Sequence, residues 1–399
     1  MSVLPLEGIR VLDFTWVVAG PVATRILADH GAEVIKLERK PGPPGSRQTG
    51  LQGDLHRNKL SIAVNMANPR GVEIARRLAQ KSDLVMDNFS ARVMRSWGMD
   101  YESLCAIKPD IICVSMSGLG HTGPRSSYVS YGPTLQALGG FTLLMAEATG
   151  EPAGYGYSYA DMSGGYTGAL AALLALWHRR RTGRGQFVDL SQFEAVVSVI
   201  GPALLDIAVN RREQTPPGYR SQELPAAPHG VYKCRPRGDD DDRWIAIAVR
   251  SQAEWERFVG AIGSPQWAYD AKFRTLYLRM HNRDELDRNV SAWTAEQPAE
   301  DAMERLQRAG VPAGVVSNGA DICERDRQLK TREFWGTLTL PDGRATHVTG
   351  IPMKMSATPG SIRTLSPEIG SANEYVLGEL LGYGRAERES LIADKAIWP

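Results

Sequence analysis

The chain has 399 residues, which is enough for two or three domains of ordinary size. Its 46 basic and 45 acidic residues leave a formal net charge of +1, so nothing favours nucleic acid or an anionic membrane as a partner. The N-terminus has no secretion signal and no apolar run is long enough to span a bilayer, so we expect a cytoplasmic protein. The four cysteines and seven histidines lack metal-ligand spacing, so we expect no metal site.

Short β-branched runs alternate with helical patterns over the first 200 residues. The predicted strands cover residues 8–14, 32–38, 83–89, 110–117 and 185–191. A helix is predicted over residues 68–82, with Asn68 as its cap. This alternation predicts an α/β fold with a doubly wound, mostly parallel sheet. Ligands of such sheets bind beyond the carboxyl ends of the strands. This places Thr15–Pro21, the residues from Arg39 onward, Asn88 and Ser117–Gly123 at one rim.

The second half of the chain predicts a smaller domain. Residues 211–229 are polar and proline-rich, which is typical of a linker between a large domain at 1–210 and a second domain. Strand-like and amphipathic helical segments over 230–325 predict an α+β domain. The tail, 326–399, holds two more strand candidates and a helix predicted at 371–384.

The loop after the first predicted strand argues against a nucleotide cofactor. It has one glycine, Gly20, directly before Pro21, and lacks the G-x-G-x-x-G pattern by which a backbone approaches a pyrophosphate. The Walker sequence is also absent. Nicotinamide, flavin and common nucleoside triphosphatase chemistry are therefore disfavoured.

Basic residues gather after the second and third predicted elements. They are Lys36, Arg39, Lys40, Arg47, Arg57, Lys59, Arg92 and Arg95. Arginine offers paired donors and a stacking plane to phosphates and adenine. Two interpretations stay open: a site for a nucleotide-like anion, or solvated surface charge.

Asp161 lies just before a long run of alanine, leucine and glycine. The run is apolar on nearly every side, so the helix it predicts should be buried. A carboxylate at the start of such a helix is either an N-cap or a nucleophile oriented by free N–H groups. Gly164 and Gly165 have no side chains, so a bulky ligand could approach the backbone there. The residues alone do not decide between the two interpretations.

Taken in order, several segments resemble the class III CoA-transferases, the family of formyl-CoA transferase and carnitine CoA-transferase, which also contains α-methylacyl-CoA racemase. The matching segments are residues 6–39, 58–66, 83–104, 109–124, 159–195 and 309–335. The resemblance implies an interlocked homodimer with a Rossmann-like large domain, a small domain and two linkers, the C-terminal tail returning to the large domain. It also implies that Asp161 attacks an acyl-CoA thioester, forming a mixed anhydride and then an aspartyl-CoA thioester.

The same resemblance assigns the binding residues. Those expected to contact CoA are Val17, Val18, Ala19, Arg39, Asn88, Phe89 and Arg95. Many members carry the last basic residue at the position of Ser96, so Arg95 departs from the family pattern. Trp16, Tyr131 and Tyr159 are expected to line the acyl pocket. Coenzyme A would be a substrate, and no tightly bound cofactor is expected.

Departures from the family patterns discriminate among reactions. The racemase branch has a His-Asp pair where this chain has Tyr131 and Gly132, and a tyrosine with an ordinary pKa near 10 is a poor base for an α-proton. The formate and oxalate branch has a glutamine where this chain has Val18, and a glycine-rich lid that is missing here. We therefore expect transfer of CoA from a donor such as succinyl-CoA to a larger or more apolar acid. A racemase or isomerase of the same fold, or a CoA-binding partner subunit without activity of its own, remain alternatives.

Overall fold

The computed structural model describes residues 4–40, 42–43, 45–146, 151–154, 156–212, 218 and 225–398. The chain divides into two compact units. The large unit comprises Met1–Thr142, Gly154–Gln214 and Leu329–Pro399, and the small unit comprises Leu143–Ala153 and Thr215–Gln328. Most of the predicted linker, 211–229, lies outside the described residues. The domain boundaries predicted from the sequence stay predictions.

The large unit is built on a parallel sheet of six strands. They are β1 (Arg10–Asp13), β2 (Glu33–Glu38), β3 (Leu60–Ala63), β4 (Leu84–Asp87), β5 (Ile112–Ser115) and β6 (Gln186–Asp189). Their order across the sheet is β3-β2-β1-β4-β5-β6, and every neighbouring pair is parallel. The predicted doubly wound α/β fold is therefore confirmed. Strand β3 was missing from the prediction because Ser61 interrupts its short apolar run.

Helices cover both faces of this sheet. The helices along residues 19–210 are α1 (Ala19–Asp29), α2 (Gly50–His56), α3 (Pro69–Gln80), α4 (Val93–Ser96), α5 (Tyr101–Ile107), α6 (Gly132–Leu138), α7 (Phe141–Leu144), α8 (Tyr159–Thr182), α9 (Gln192–Val199) and α10 (Gly201–Asn210). Alternate residues of a strand face opposite sides. Val11 packs with α1 and α8 on one side, and Leu12 packs with α3 on the other. Helix α3 begins as predicted, since the Asn68 side chain accepts a hydrogen bond from the Arg70 N–H at 2.9 Å.

The small unit has its own sheet and core. Its elements are β7 (His229–Lys233), β8 (Trp244–Ala248), α11 (Gln252–Ala261), α12 (Leu276–His281), α13 (Arg283–Ala295), α14 (Ala299–Arg308) and β9 (Ala313–Val315). Strands β7, β8 and β9 form an antiparallel sheet in that order. Phe258 of α11, Val290 of α13 and Leu306 of α14 are fully buried against it.

The C-terminal segment completes one face of the large sheet. Its elements are α15 (Arg327–Thr331), β10 (Gly336–Thr339), β11 (Ala345–Val348) and α16 (Arg385–Ala393). Leu377, Leu391 and Ile397 lie in the same apolar core as Leu12. Where the sequence predicts a helix at 371–384, the structure has a short π-helix at Glu374–Leu380, followed by the separate helix α16.

Helix α8 corrects a second expectation. Its buried face consists of small residues, among them Gly165, Gly168 and Ala172, while large apolar residues on the other side are exposed. The prediction that α8 is buried all round is therefore wrong for the single chain. Among the described residues, no helix on its own is both long and apolar enough to cross a membrane. The pair α9 and α10, bent by 66°, reaches that length and composition only when taken together.

Candidate active site

A cleft of about 230 Å³ opens in the large unit at the carboxyl ends of β1 and β4. These strands are neighbours in the sheet, but the chain leaves them in opposite directions, towards β2 and towards β5. Such a switch point is where sheets of this type bind ligands. The cleft is lined by Trp16, Val17, Asn88, Phe89, Ser90, Val93, Gly118, Tyr128, Val129, Ser130, Tyr131, Gly132, Leu135, Asp161 and Gln192.

The loop between β1 and α1 forms one wall and is held tightly. The Asn88 side chain accepts a hydrogen bond from the Trp16 N–H at 2.9 Å and donates one to the Trp16 carbonyl at 3.0 Å. Val17 has a φ of +64°, which is rare for a β-branched residue and strains the backbone. A Cβ on Gly20 would lie 2.2 Å from the Thr15 Cβ, so the tight return of the loop requires glycine there. The loop is therefore fixed by its surroundings rather than by its own preference.

Aromatic rings continue this wall. Trp16 is 51% exposed and lies 6.5 Å from Phe89, measured between ring centroids. Phe89 in turn meets Trp97 edge-on at 5.6 Å. The Phe89 N–H donates to the buried Asp87 carboxylate at 3.1 Å, which fixes the start of the loop after β4. Burial raises the pKa of Asp87 to about 6, although the Ser115 hydroxyl and the Phe89 N–H oppose the shift.

Asp161 lies in the first turn of α8, and Ser158 is the N-cap residue. The N-cap interpretation of Asp161 is therefore wrong, and its carboxylate faces the cleft. Burial raises the pKa of Asp161, while the Ser158 hydroxyl and the backbone N–H of Ala19 act in the opposite direction. A partly desolvated carboxylate with few donors is a better nucleophile than one surrounded by water.

Two glycines of α8 bring these parts together. A Cβ on Gly165 would lie 2.6 Å from the Val22 Cβ and 2.8 Å from the Ala19 carbonyl oxygen, so α1 and α8 touch closely there. A Cβ on Gly164 would lie 3.0 Å from the Gln192 side chain. The expectation that these two glycines leave room for a ligand is wrong, because protein atoms fill the space. The small size of Gly165 instead lets α1 approach α8, which sets the start of α1 beside Asp161.

Gly132 makes the closest approach to the carboxylate. A Cβ at this position would lie 2.3 Å from Asp161 Oδ2 and 1.6 Å from Ser158 Oγ. The sequence pattern of the racemase branch drew attention to Gly132 only as a departure. The structure gives it a physical role, since any side chain there would displace the carboxylate.

The cleft brings together some of the predicted site residues and leaves others outside its lining. Those that line it are Trp16, Val17, Asn88, Phe89, Tyr131 and Asp161. Val18 and Ala19 lie at the start of α1, where Ala19 is buried. Arg39 and Arg95 are exposed and lie outside the lining. Tyr159 stacks on Phe141 at 5.2 Å and is also outside it.

Other lining residues were not singled out from the sequence. Gln192 comes shortly after β6, and its Nε2 donates to the Met116 carbonyl at 2.7 Å. Its position after a strand at the carboxyl edge of the sheet is a signal that could have identified it. Tyr128 and Val129 are exposed apolar residues in an irregular segment, for which the sequence offers no periodic signal.

The basic residues divide into two groups. Lys36, Arg57 and Lys59 are each at most 3% exposed and engage protein groups, so for these three both interpretations of the basic cluster are wrong. Arg57 pairs with Asp29 at 2.7 Å. In contrast, Arg39 and Arg95 are exposed. Only exposed members of the cluster are available to a bound anion.

Together, the fold and the cleft define a Rossmann-like α/β enzyme whose switch point carries a carboxylate instead of a glycine-rich dinucleotide loop. The chain belongs to CoA-transferase family III, whose family model matches residues 6–373. It is an enzyme of this class, and CoA thioesters and carboxylic acids are the substrates of such enzymes.

Individual relatives agree with this assignment. The beta subunit of succinyl-CoA–L-malate CoA-transferase from Chloroflexus aurantiacus is 30% identical over 96% of this chain and 95% of its own length. A probable CoA-transferase of Mycobacterium tuberculosis is 33% identical over 99% of this chain, which spans 50% of that protein's length. A CAIB/BAIF family protein from Brucella suis has a solved structure that matches with a TM-score of 0.84 and 27% identity, over 95% of this chain and 100% of that one.

Proposed function

We propose that this protein transfers CoA from an acyl-CoA donor, such as succinyl-CoA, to an organic carboxylic acid, with Asp161 as the nucleophile. The observation that carries the proposal is a carboxylate that opens onto the cleft at the switch point, beside the backbone N–H of Ala19. Relatives named for succinyl-CoA-dependent transfer to malate, citramalate and glutarate support the donor.

The reaction proceeds through two covalent states of Asp161. Its carboxylate oxygen attacks the thioester carbon, and the CoA thiolate leaves, which gives a mixed anhydride. The thiolate then attacks the Asp161 carbonyl carbon and releases the first acid, which gives an aspartyl-CoA thioester. The second acid repeats the sequence in reverse and leaves as its CoA thioester, so Asp161 is regenerated.

The loop residues support a path for the CoA arm. Val17, Val18 and Ala19 offer backbone and apolar contact to the pantetheine, and Asn88 and Phe89 complete that wall. A second set, Arg39 and Arg95, is exposed and would meet the phosphates of the nucleotide end outside the cleft. This assignment puts the charged end of CoA in solvent and its sulfur end next to the nucleophile.

The acyl pocket is assigned to Trp16 and Tyr131, with Tyr159 outside the cleft lining. Trp16 and Tyr131 line the cleft and are 51% and 54% exposed, so large rings are available to an acyl group. Aromatic walls favour an acid with an apolar or aromatic body over a small dicarboxylate.

We also propose that the active form is a homodimer. Large apolar side chains are exposed along one face of α8 and on α10, where burying them against a second copy would remove them from water. They are Leu170, Leu174, Trp177, Leu205, Ile207 and Val209. The interlocked arrangement, the expectation of no tightly bound cofactor and the cytoplasmic location stay predictions.

The function is tested by comparing two aspartates that both lie at helix starts. Asp161→Ala should lower transfer from succinyl-CoA to a panel of carboxylic acids by at least about 10³-fold, because the nucleophile is lost. Asp100 is the N-cap of α5 and accepts a hydrogen bond from the Ser103 N–H at 3.2 Å. Asp100→Ala should lower stability by about 1 kcal/mol and leave turnover of the folded enzyme unchanged.

Mass spectrometry of the enzyme detects the covalent aspartyl-CoA thioester. Wild-type enzyme mixed with an acyl-CoA should gain the mass of CoA less one water on the peptide that contains Asp161, because the thioester replaces the carboxylate, and Asp161→Ala should not. Turnover retained in Asp161→Ala would refute the nucleophile. Exchange of the substrate α-proton with deuterated water in the absence of an acceptor acid would identify a racemase instead. Activity that appears only with a second polypeptide would identify a partner subunit.

A further inference from the structure

Three charged side chains are buried beneath the loop between β1 and α1. Asp13 is fully buried, and Lys36 and Lys59 are each 3% exposed. Lys59 Nζ lies 3.2 Å from Asp13 Oδ2. Burying charges is unfavourable even when they are paired, and an apolar cluster of similar volume is often as stable. Stability alone therefore does not explain a buried set of two lysines and one aspartate.

The three side chains hold the loop at both of its ends. At the first end, Asp13 Oδ1 accepts hydrogen bonds from the Thr15 N–H at 2.8 Å and the Thr15 hydroxyl at 2.5 Å, and the Lys36 ammonium donates to the Thr15 carbonyl. At the other end, Lys59 Nζ donates to the Pro21 carbonyl at 3.2 Å and to Thr24 Oγ1 at 2.7 Å. The Thr24 hydroxyl donates in turn to Asp13 Oδ2 at 2.8 Å, which closes the network.

The strained backbone lies between these two fixed points. Val17, with its φ of +64°, is two residues after Thr15 and four before Pro21. A backbone of this kind costs on the order of 1–3 kcal/mol and persists only when its surroundings determine it. Ala19 lies two residues after Val17 and packs on α8 one helical turn after Asp161, where a Cβ on Gly165 would lie 2.8 Å from the Ala19 carbonyl oxygen. In this position its N–H acts to lower the pKa of the Asp161 carboxylate. The buried charges thus hold the backbone on both sides of that N–H.

We propose that Lys59, together with Asp13 and Thr24, positions the Ala19 N–H as the donor that stabilises the oxyanion formed on Asp161. This inference rests on the proposed function. When the CoA thiolate attacks the Asp161 carbonyl carbon, the electron pair of the C=O bond moves to the side-chain oxygen, which becomes an oxyanion. It returns as the first acid leaves. A donor already in place stabilises this charge without reorganising, whereas a displaced one does not. Lys59 itself touches no reacting atom and is a positioning residue.

The test measures how fast the aspartyl-CoA thioester forms in a single turnover, with binding of acyl-CoA measured separately. Lys59→Met should slow formation of the adduct by about 10- to 100-fold, the loss expected from a displacement of roughly 1 Å. The dissociation constant of the acyl-CoA should stay within about twofold, because the lysine is buried away from the cleft lining. Thr24→Val should have the same effect, and Thr24→Ser, which keeps the hydroxyl, should restore the wild-type rate.

A matched control separates positioning from general destabilisation. Arg57 is also buried and paired, with Asp29 at 2.7 Å and Asp54 at 2.8 Å, but it holds the C-terminal segment at Thr349 instead of the loop. Arg57→Met should lower the melting temperature and leave the rate of adduct formation per folded enzyme unchanged. If Lys59→Met does not fold, the comparison of Thr24→Val with Thr24→Ser tests the inference instead. A wild-type rate in Thr24→Val, or an equal loss in Arg57→Met, would overturn the inference. Failure of the wild type to form any adduct would overturn the proposed function itself.

Discussion

The two halves of helix α8 differ in both composition and surroundings. In the first half, Gly164, Gly165 and Gly168 have neighbours so close that a Cβ would lie within 3.0 Å of another atom. In the second half the helix buries Ala172 and Ala175 against the sheet, while Leu174 and Trp177 on the outer side are 60% and 58% exposed. The inner side of the first half is therefore tightly packed within this chain, whereas the outer side, where Leu170 is also 56% exposed, is unpacked.

One helix can therefore serve two purposes. Small residues in the first half let α1 approach, and that approach brings the start of α1 to Asp161. Large residues in the second half are placed outward, where another molecule could cover them. Asp161 needs the packed end, because a nucleophile must be held in a fixed position. The exposed end is available for assembly.

The tightly packed first half of α8 should respond most strongly to a methyl group added on the neighbouring helix α6. Gly132→Ala would place a Cβ 2.3 Å from Asp161 Oδ2, so the carboxylate must move. We expect the turnover number to fall by about 100-fold, because a displacement of roughly 1 Å in reacting groups has that effect. The measurement is the steady-state rate of CoA transfer, with the Michaelis constant of the donor determined in parallel.

The control for Gly132→Ala is a glycine with free space around it. Gly260 lies in α11, and a Cβ there would meet no atom within 4 Å. Gly260→Ala should leave transfer unchanged and raise stability slightly, because alanine favours a helix. Wild-type turnover in Gly132→Ala would mean that the carboxylate position is not critical, and the contrast between the two halves would lose its functional meaning.

The sequence predicted the sheet well because the signals for it are local. Alternating apolar runs and helix caps, such as Asn68, depend on neighbours in the chain. The rim residues Thr15–Pro21 and Asn88 were also predicted, because they directly follow strands of a parallel sheet. Strand β3 was missed because Ser61 interrupts its apolar run, so no continuous β-branched stretch marks it.

The details of the site depend on contacts between residues far apart in the chain, and no local pattern encodes these. Lys59 resembles a surface charge until Asp13, 46 positions earlier, is seen beside it. Gly132 resembles an ordinary helix start, and only the approach of Asp161 gives it a role. Helix α8 was predicted to be buried because composition does not tell which side of a helix faces a neighbour. Tertiary packing decides these points.

The exposed half of α8 should control assembly. A lysine in place of Leu174 or Leu205, which are 60% and 63% exposed, would put a charge into the proposed dimer interface. We expect Leu174→Lys with Leu205→Lys to raise the dimer dissociation constant by at least about 10-fold, since burying an unpaired ammonium group costs more than the roughly 1.4 kcal/mol that a tenfold change requires. Sedimentation over a range of protein concentrations measures this.

The same substitution elsewhere on the surface provides the control. Leu51 in α2 is 44% exposed and lies outside the α8–α10 face. Leu51→Lys should leave the dimer unchanged. If the wild type is a monomer, or if Leu51→Lys weakens the dimer equally, the second half of α8 does not form a dimer interface.

The smallest expected effect concerns the pH dependence of stability. Burial raises the pKa of Asp161, so in the folded state its ionised form is disfavoured relative to the unfolded chain. Asp161 therefore stabilises the fold least at neutral pH, and its contribution improves as pH falls through its raised folded pKa towards the ordinary value of 3.8. Asp161→Asn removes the charge, and we expect its free energy of unfolding at neutral pH to exceed that of wild type by about 0.5–2 kcal/mol.

The pKa of Asp100 shifts in the opposite direction. Burial would raise its pKa, but the hydrogen bonds it accepts, among them that from the Ser103 N–H, outweigh burial and hold the pKa of Asp100 below its ordinary value. Its ionised form therefore stabilises the fold above the unfolded pKa, and that contribution is lost as pH falls through the lowered folded pKa. Urea denaturation at neutral and mildly acid pH should show Asp100→Asn less stable than wild type and Asp161→Asn more stable, the second difference shrinking on acidification. If both variants lose stability at neutral pH, the ionised Asp161 carboxylate stabilises the fold. The proposal that its partial burial disfavours the ionised form would then be wrong.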